Sequence, residues 1–437
     1  MKLYMVSLGC AKNKVDSEMI LGLLRKKMEV IDNPDQADLI LVNTCAFIES
    51  ARKEAVDTIL ELADHKSKGA KMIVCGCLAQ RYKGELEKLL PEVDRFISID
   101  EYGSVSSIIN SVMKSNFLSN EEISPLNRYS DEPNYMTYIK ISDGCLNRCA
   151  FCAIPLIRGN LKSRTIEDIK EEVEKEIKRG VYEINLISQD TTKYGYDIYR
   201  KLALVDLLKE LVKIDGNYKI RLLYLYPDIV TDELIDFMKN NQDHVMPYFD
   251  IPIQHSEDKI LKAMVRRGSR EYLVNLFKKI RTEIPNAILR TTMIVGFPYE
   301  EESDVDSMIE FIKEVKFNRL GAFTFSLEEG TKATTYPNII SEADKQKRYE
   351  RLMQAQEEIS LNLNKELIGK VINDVFVINY DPESFMYIAR SDAYAPDDID
   401  GYIFVASTRE LTLGERISVK VLDCDSYTLT GQEYVSE

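Results

Sequence analysis

The chain has 437 residues, 45% of them hydrophobic, with eight cysteines, three histidines and a formal net charge of -15. That length supports about three domains at roughly 150 residues each, and no run approaches the about 18 consecutive apolar residues of a membrane span. The acidic balance excludes broad, sequence-independent affinity for nucleic acid, which needs Lys and Arg to neutralise phosphate, and it favours a basic partner. Met1-Lys2-Leu3-Tyr4-Met5-Val6 runs straight into a strand with no charged-then-apolar leader, so the expected compartment is the cytoplasm. Eight cysteines are too few for a disulfide scaffold in a chain this long.

Residues 1–115 alternate apolar runs with amphipathic helices. Strands are expected at 2–8, 39–43, 72–75 and 96–99. Val15, Met19 and Leu23, and then Ala51, Ala55 and Ile59, repeat every four residues as helices packing one face on a sheet. The pattern is a doubly wound α/β domain. Cys10, Cys45 and Cys77 each close a strand, and in an open parallel sheet the strand carboxyl ends share one edge where ligands collect. A three-thiol iron–sulfur site is the natural reading; the alternative is three unrelated buried cysteines, since free Cys is a common core residue. Cys75, two residues before Cys77, is expected on the same face but deeper, as a structural residue, with a ligand role left open.

Residues 116–134, rich in Ser, Asn, Glu and Pro, read as a linker. From 135 to 367 strand and helix alternation resumes, with strands expected at 137–141, 183–187, 220–224, 248–251, 287–295 and 319–325. Helices are expected at 167–179, 205–213, 232–239, 272–283 and 302–315, and a charged helix at 342–367 closes the domain. Six βα units imply an incomplete (β/α)6 barrel. Just after its first strand lies the most informative run of the chain: Cys145, Cys149 and Cys152 at Cys-x3-Cys-x2-Cys spacing, with Phe151 before the last. Three thiolates can hold three irons of a 4Fe-4S cluster and leave the fourth iron open to a ligand that is not protein. A zinc knuckle would want four ligands in paired spacing, and no fourth Cys or His is near in sequence. The motif sits at the strand carboxyl ends, where barrel enzymes place their chemistry.

Residues 368–437 change to short strands and turns, expected at 371–378, 385–391, 401–405 and 416–423, as in a small all-β barrel of the oligonucleotide-binding type. This segment holds five Lys or Arg against thirteen Asp or Glu, whereas a nucleic-acid-binding barrel should be basic. Asp397, Asp398 and Asp400, beside Asp392, read as an exposed acidic loop suited to a cationic partner.

The Cys-x3-Cys-x2-Cys run with Phe151 resembles the signature of radical S-adenosylmethionine (SAM) enzymes. Ser7-Leu8-Gly9-Cys10-Ala11-Lys12-Asn13, Asn43-Thr44-Cys45 and a terminal TRAM domain extend the resemblance, over nearly the whole chain, to the radical SAM methylthiotransferases. Tyr224-Leu225-Tyr226-Pro227-Asp228, Asp250-Ile251-Pro252-Ile253-Gln254-His255 and the run from Arg290 to Pro298 are most similar to the branch that modifies an aspartate of small-subunit ribosomal protein twelve. The transfer-RNA branch typically has Pro-x-Gln-Ser-Gly-Ser where this chain has Pro252-Ile253-Gln254-His255-Ser256-Glu257, and its terminal domain tends to be basic. Ala11 stands where the family commonly has proline, and Tyr299 where glycine is usual.

The resemblance implies two 4Fe-4S clusters and SAM. One cluster, on Cys145, Cys149 and Cys152, would take an electron from a low-potential donor and cleave SAM to a deoxyadenosyl radical, which removes hydrogen from the aspartate β-carbon. That C–H bond is not acidic enough for an ordinary base, so no catalytic side chain is expected. The second, on Cys10, Cys45 and Cys77, would deliver the methylthio unit. Phe151, Gln189, Asp190, Gly296, Phe297 and Pro298 are candidates to meet SAM, with Gly296 letting the adenine approach closely, although a glycine after a strand is also simply a turn. His255 reads as a structural hydrogen-bonding residue. The implied partner is ribosomal protein twelve, free or on the ribosome; the competing reading is a transfer-RNA methylthiotransferase, and a third is a nonenzymatic iron–sulfur scaffold.

Overall fold

The computed structural model describes residues 1–119, 121–130, 135–396 and 399–435. Asp397 and Asp398 lie outside the described residues. In the first unit, β1 (Lys2–Ser7), β2 (Glu29–Val30), β3 (Leu39–Thr44), β4 (Lys71–Gly76) and β5 (Arg95–Ile97) form a parallel sheet in the order β2-β1-β3-β4-β5. All six residues of β3 are buried, as befits a central parallel strand covered on both faces. One face packs on the helices Glu49–Asp64 and Cys77–Leu89 and the other on Ala11–Leu24 and Val105–Val112. Strand order reverses beside β1 and β3, so the carboxyl ends of β1, β3 and β4 open a crevice there.

The second unit holds six parallel strands. They are β6 (Met136–Lys140), then, after a small ribbon of β7 (Ser142–Asp143) with β8 (Lys162–Ser163), β9 (Glu183–Ile187), β10 (Lys219–Leu222), β11 (Tyr248–Asp250), β12 (Ile288–Val295) and β13 (Arg319–Thr324). They pair as β10-β9-β6 and β11-β12-β13, and the bridge Ile220 to Val245 joins the two sets. Among the described residues β6 and β13 do not pair, so the barrel is open on that side. The helix Glu342–Lys365 lies along β13 and β12. Thr165, Thr231, Ser269 and Ser341 cap the helices that follow them by accepting a backbone N–H, which satisfies an amide the first turn leaves free.

The third unit is a closed barrel in the order β14-β15-β16-β18-β17, from β14 (Val371–Asp381), β15 (Met386–Arg390), β16 (Ile403–Ala406), β17 (Arg416–Cys424) and β18 (Leu429–Tyr434). The last strand was not expected from the sequence. It contains Gly431, where a Cβ would lie 2.5 Å from a Val419 methyl carbon; close strand packing, not a turn, explains that glycine.

The terminal barrel is fastened to the amino ends of the second unit's strands, opposite the cysteine motif. Glu183, at the start of β9, takes Arg221 Nε at 3.0 Å and Arg390 Nη2 at 2.7 Å, all three groups being buried. Asp400 is buried as well. It accepts from Tyr248 Oη at 2.7 Å, from the Ala395 amide at 2.9 Å and from Arg290 Nε at 3.2 Å, and Arg290 also binds Asp250 at 2.8 Å. This corrects the expectation for Asp400: it is an internal clamp against cations distant in sequence and has no free charge to offer a partner. Among the described residues no helix is long and apolar enough to cross a membrane.

Candidate functional site

Three of the six candidate cysteines, Cys10, Cys77 and Cys145, follow a glycine in the left-handed region: Gly9 at φ +92°, Gly76 at +95° and Gly144 at +70°. A Cβ on Gly9 would stand 2.6 Å from Cys45 Cβ, one on Gly76 2.2 Å from Asn43 Oδ1, and one on Gly144 2.1 Å from the Asn160 carbonyl oxygen. The chain therefore turns sharply off each strand, in a conformation that only glycine adopts without strain, and throws the next side chain onto the sheet edge.

Cys10, Cys45 and Cys77 are brought within electrostatic reach of one another. Asn13 organises their loops. Fully buried, its Nδ2 donates to the Leu8 carbonyl at 3.1 Å and to the Thr44 carbonyl at 3.0 Å, while its Oδ1 lies 3.4 Å from the Cys77 thiol. Desolvation by the surrounding loops raises the Cys10 thiol, although the residue keeps an exposed side, but Lys12, the amides of Asn13 and Lys12, and Arg158 outweigh it and bring it below the ordinary thiol value. Burial pushes the Cys77 thiol up to about 12 despite Arg158. Cys75 does not share this edge. It packs with Leu3, Ile73 and Tyr102 in the core of the opposite sheet face, where burial pushes its thiol to about 12; the turn at Gly76 breaks the alternation that would have put it beside Cys77.

Cys145, Cys149 and Cys152 lie on the loop after β6, pinned by the Cys145 amide to the Gly159 carbonyl at 3.1 Å and by the Ala150 amide to the Met264 carbonyl at 2.9 Å. Burial and the neighbouring thiols raise Cys152 to about 12; burial, with Asp190 and Cys149, raises Cys145 to about 11. Such thiols become thiolates only when a metal takes the place of the proton. Arg266 Nη1 and Tyr226 Oη each stand 3.8 Å from the Cys149 sulfur. Among the described residues no three Cys, His, Asp or Glu side chains converge tightly enough for one metal ion; a four-iron cube needs its thiolates spread wider than a single ion does. The two all-thiol sets suit iron–sulfur ligation in donor type and number.

Of the other expected contacts, Phe151 is half-buried and meets Phe297 edge-on at 6.3 Å. Phe297 has no exposed surface and is packed by Phe325 and Tyr336, so its ring supports Phe151 and cannot touch a ligand. Pro298 is buried beside it. Gly296 does not leave room for an adenine on its bare face: Lys345 fills it, with a side-chain carbon 2.3 Å from where a Cβ would be, and its amide donates to Glu300 at 2.8 Å. Gln189 donates to Asp143 at 2.9 Å, and its buried Oε1 has no protein partner. Asp190 is engaged by Asn147 at 2.6 Å, which ties the cysteine loop to β9. His255 is fully buried; its Nδ1 accepts from the Glu257 amide at 3.0 Å, so Nε2 carries the proton and faces Glu300 at 3.2 Å, a structural arrangement. Tyr299, standing where the family usually has glycine, has φ +75°, and Ala11 opens a helix at a position that suits proline.

The sequence did not single out Arg158, Asp16 or Lys140. Arg158 donates to Asp16 at 2.9 Å, to Asp143 at 2.7 Å and to Asn13 Oδ1 at 2.6 Å, and its Nη2 lies 3.6 Å from the Cys77 sulfur. Lys140 pairs with the same two carboxylates. Ala153 and Ile157, from the cysteine loop, are buried in the core of the first unit with Leu78 and Ala79. Lys12 reaches across to the Ser188 carbonyl at 3.3 Å and lies 3.5 Å over the Tyr224 ring. The two thiol sets thus open on one seam, carboxyl edge to carboxyl edge.

Family models match along the chain: residues 2–98 an uncharacterised protein family, UPF0004; residues 139–312 the radical SAM superfamily; residues 368–433 the TRAM domain. The ribosomal protein uS12 methylthiotransferase RimO of Clostridioides difficile is 44% identical, with 99% of this chain and 98% of that protein covered. The chain belongs to the RimO family of radical SAM methylthiotransferases. RimO of Carboxydothermus hydrogenoformans is likewise 44% identical, with 99% of each chain covered. Membership makes the chain a radical SAM enzyme, with the 4Fe-4S cluster and SAM that superfamily implies, and disfavours the transfer-RNA reading. Among solved structures the fold is similar to the radical SAM methyltransferase TsrM of Kitasatospora setae, with a TM-score of 0.55 at 13% identity over 74% of this chain and 72% of that one. The radical SAM enzyme OxsB is similar too, with a TM-score of 0.50 at 13% identity, covering 88% and 64%.

Proposed function

We propose that the chain adds a methylthio group to the β-carbon of an aspartate in ribosomal protein uS12, using two 4Fe-4S sites that share one seam. Cys145, Cys149 and Cys152 would hold the first and Cys10, Cys45 and Cys77 the second. When bound, the first supplies the electron that splits SAM and the second the sulfur that is transferred. The observation carrying this reading is the juxtaposition of two all-thiol sets across the Arg158 contact, in a chain whose full-length relatives are named for uS12.

The protein's own part is placement. The Gln189 Oε1, buried and without a protein partner, suits an N–H of SAM, and the half-buried Phe151 offers a ring face beside the loop. Arg266 Nη1 donates to the Cys149 sulfur at 3.8 Å, and the Tyr226 hydroxyl stands at the same distance, so both fix the place of that ligand. The net charge of -15 supports attraction to a cationic ribosomal protein. The cytoplasm, where uS12 is made, is the corresponding compartment, and a low-potential reductant is the required electron source.

The test is anaerobic turnover of reconstituted chain with SAM, a strong reductant and purified uS12, read by mass spectrometry. A methylthio mass gain on one aspartate is expected. Modification of a transfer-RNA adenosine with none on uS12 would overturn the reading.

A further inference from the structure

We propose that Arg158 is a positioning residue that holds the Cys77 sulfur in fixed register with the cysteine loop of the barrel and tunes the site that Cys77 serves. The proposal rests on the two-site reading above. Arg158 lies six residues after Cys152, at the end of the short helix Ile154–Ile157. Its backbone belongs to the barrel site: the next carbonyl, of Gly159, takes the Cys145 amide at 3.1 Å, and a Cβ on Gly144 would stand 2.8 Å from the Arg158 carbonyl oxygen. Its side chain belongs to the other site, with Nη2 2.6 Å from Asn13 Oδ1 and 3.6 Å from the Cys77 sulfur. One residue therefore spans from beneath Cys145 to Cys77.

Charge balance alone does not call for that reach. Asp16 and Asp143 are both paired to Lys140 as well as to Arg158, so two cations already balance two carboxylates. Nη1 holds Asp143 beside the barrel loop while Nη2 holds Asp16 and Asn13 and reaches the Cys77 sulfur, so the two ends of a planar fork serve both sites at once, which the single nitrogen of an ammonium cannot do. Asn13 in turn bonds the carbonyls of Leu8 and Thr44, beside Cys10 and Cys45, so the register set by Arg158 reaches all three thiols. An N–H directed at a ligand sulfur also stabilises the more negative, reduced form of an iron–sulfur site and raises its potential.

The test replaces Arg158→Lys in the full chain, which keeps the charge and removes the fork. In a background with Cys145, Cys149 and Cys152 changed to Ala, an EPR-monitored redox titration reads the remaining cluster. In the otherwise unmodified chain, methylthio product is measured per deoxyadenosine formed. With iron content equal to the parent, the midpoint is expected to move negative and product per deoxyadenosine to fall at least tenfold. An unmoved midpoint together with an unchanged ratio overturns the proposal. Should the lysine variant not fold, the charge-balanced pair Asp16→Asn with Arg158→Gln carries the same two readouts and outcomes. A parent chain that binds only one cluster sinks the two-site reading instead, whereas a two-cluster parent whose variant shows an unmoved midpoint and an unchanged ratio sinks Arg158 alone.

Discussion

Glu183→Gln tests how firmly the terminal barrel is held. Arg390 and Arg221 overcome the effect of burial, which alone would raise the Glu183 carboxyl, and hold it at about 2 against an ordinary 4.5. At about 1.4 kcal/mol per unit this is a stabilisation of about 3 kcal/mol, in line with the about 3–5 kcal/mol lost when one partner of a buried pair is removed. Because the folded value is depressed, the contribution is fully present above about 4.5 and fades as pH falls toward about 2. A chain of several units does not unfold in one step, so the suitable assay is native-state amide exchange in β15, which carries Arg390. Glu183→Gln should speed exchange there about a hundredfold at pH 7, by the rule that about 1.4 kcal/mol is tenfold. Protection in the parent, corrected for intrinsic exchange, should decline between about pH 4.5 and 2, and the variant should show no such decline. Exchange within threefold of the parent at pH 7 would refute the argument that this ion pair fastens the barrel.

Three further outcomes are expected. Changing Cys145, Cys149 and Cys152 together to Ala should reduce iron from about eight to about four per chain, and loss of all iron or none in an elemental assay would contradict two independent sites. Changing Cys10, Cys45 and Cys77 should leave deoxyadenosine formation under strong reduction but abolish methylthio transfer, both read by chromatography with mass detection; absence of deoxyadenosine would put the radical site in the wrong unit. Asp400→Asn should weaken docking of the terminal barrel by about 1–3 kcal/mol, the scale of a lost buried charged hydrogen bond, with uS12 affinity unchanged; weaker uS12 binding at unaltered stability would restore its reading as a docking charge.

The six barrel strands were legible to within about two residues because parallel strands buried on both faces leave continuous apolar runs between helices of a different period. Cys10, Cys45 and Cys77 could be read as candidates because each ends such a run, and Cys145, Cys149 and Cys152 by their spacing; the Gly-Cys pairs at 9–10, 76–77 and 144–145 are the local signal of a sharp turn. Arg158, Asp16 and Asn13 left no comparable trace: a polar residue on a helix reads as solvated surface unless its distant partner is known, and Arg158 meets Asp16 across 142 residues. Asp400 was misplaced for the same reason, since local acidity says nothing of Arg290, which stands 110 residues earlier. Cys75 was assigned to the wrong face because strict alternation was carried through Gly76, where the strand ends.

The acid and arginine clamps at the foot of the SAM barrel bear on how such chains can be recombined. A terminal barrel transplanted from another family member would leave Glu183 with Arg221 alone and Arg290 with Asp250 alone unless Arg390 and Asp400 came with it in the same places. Each pair would lose a charged hydrogen bond at a buried seam. The third unit therefore behaves as a keyed fitting, and chimaeras that exchange it should succeed only when both halves of the key are carried over.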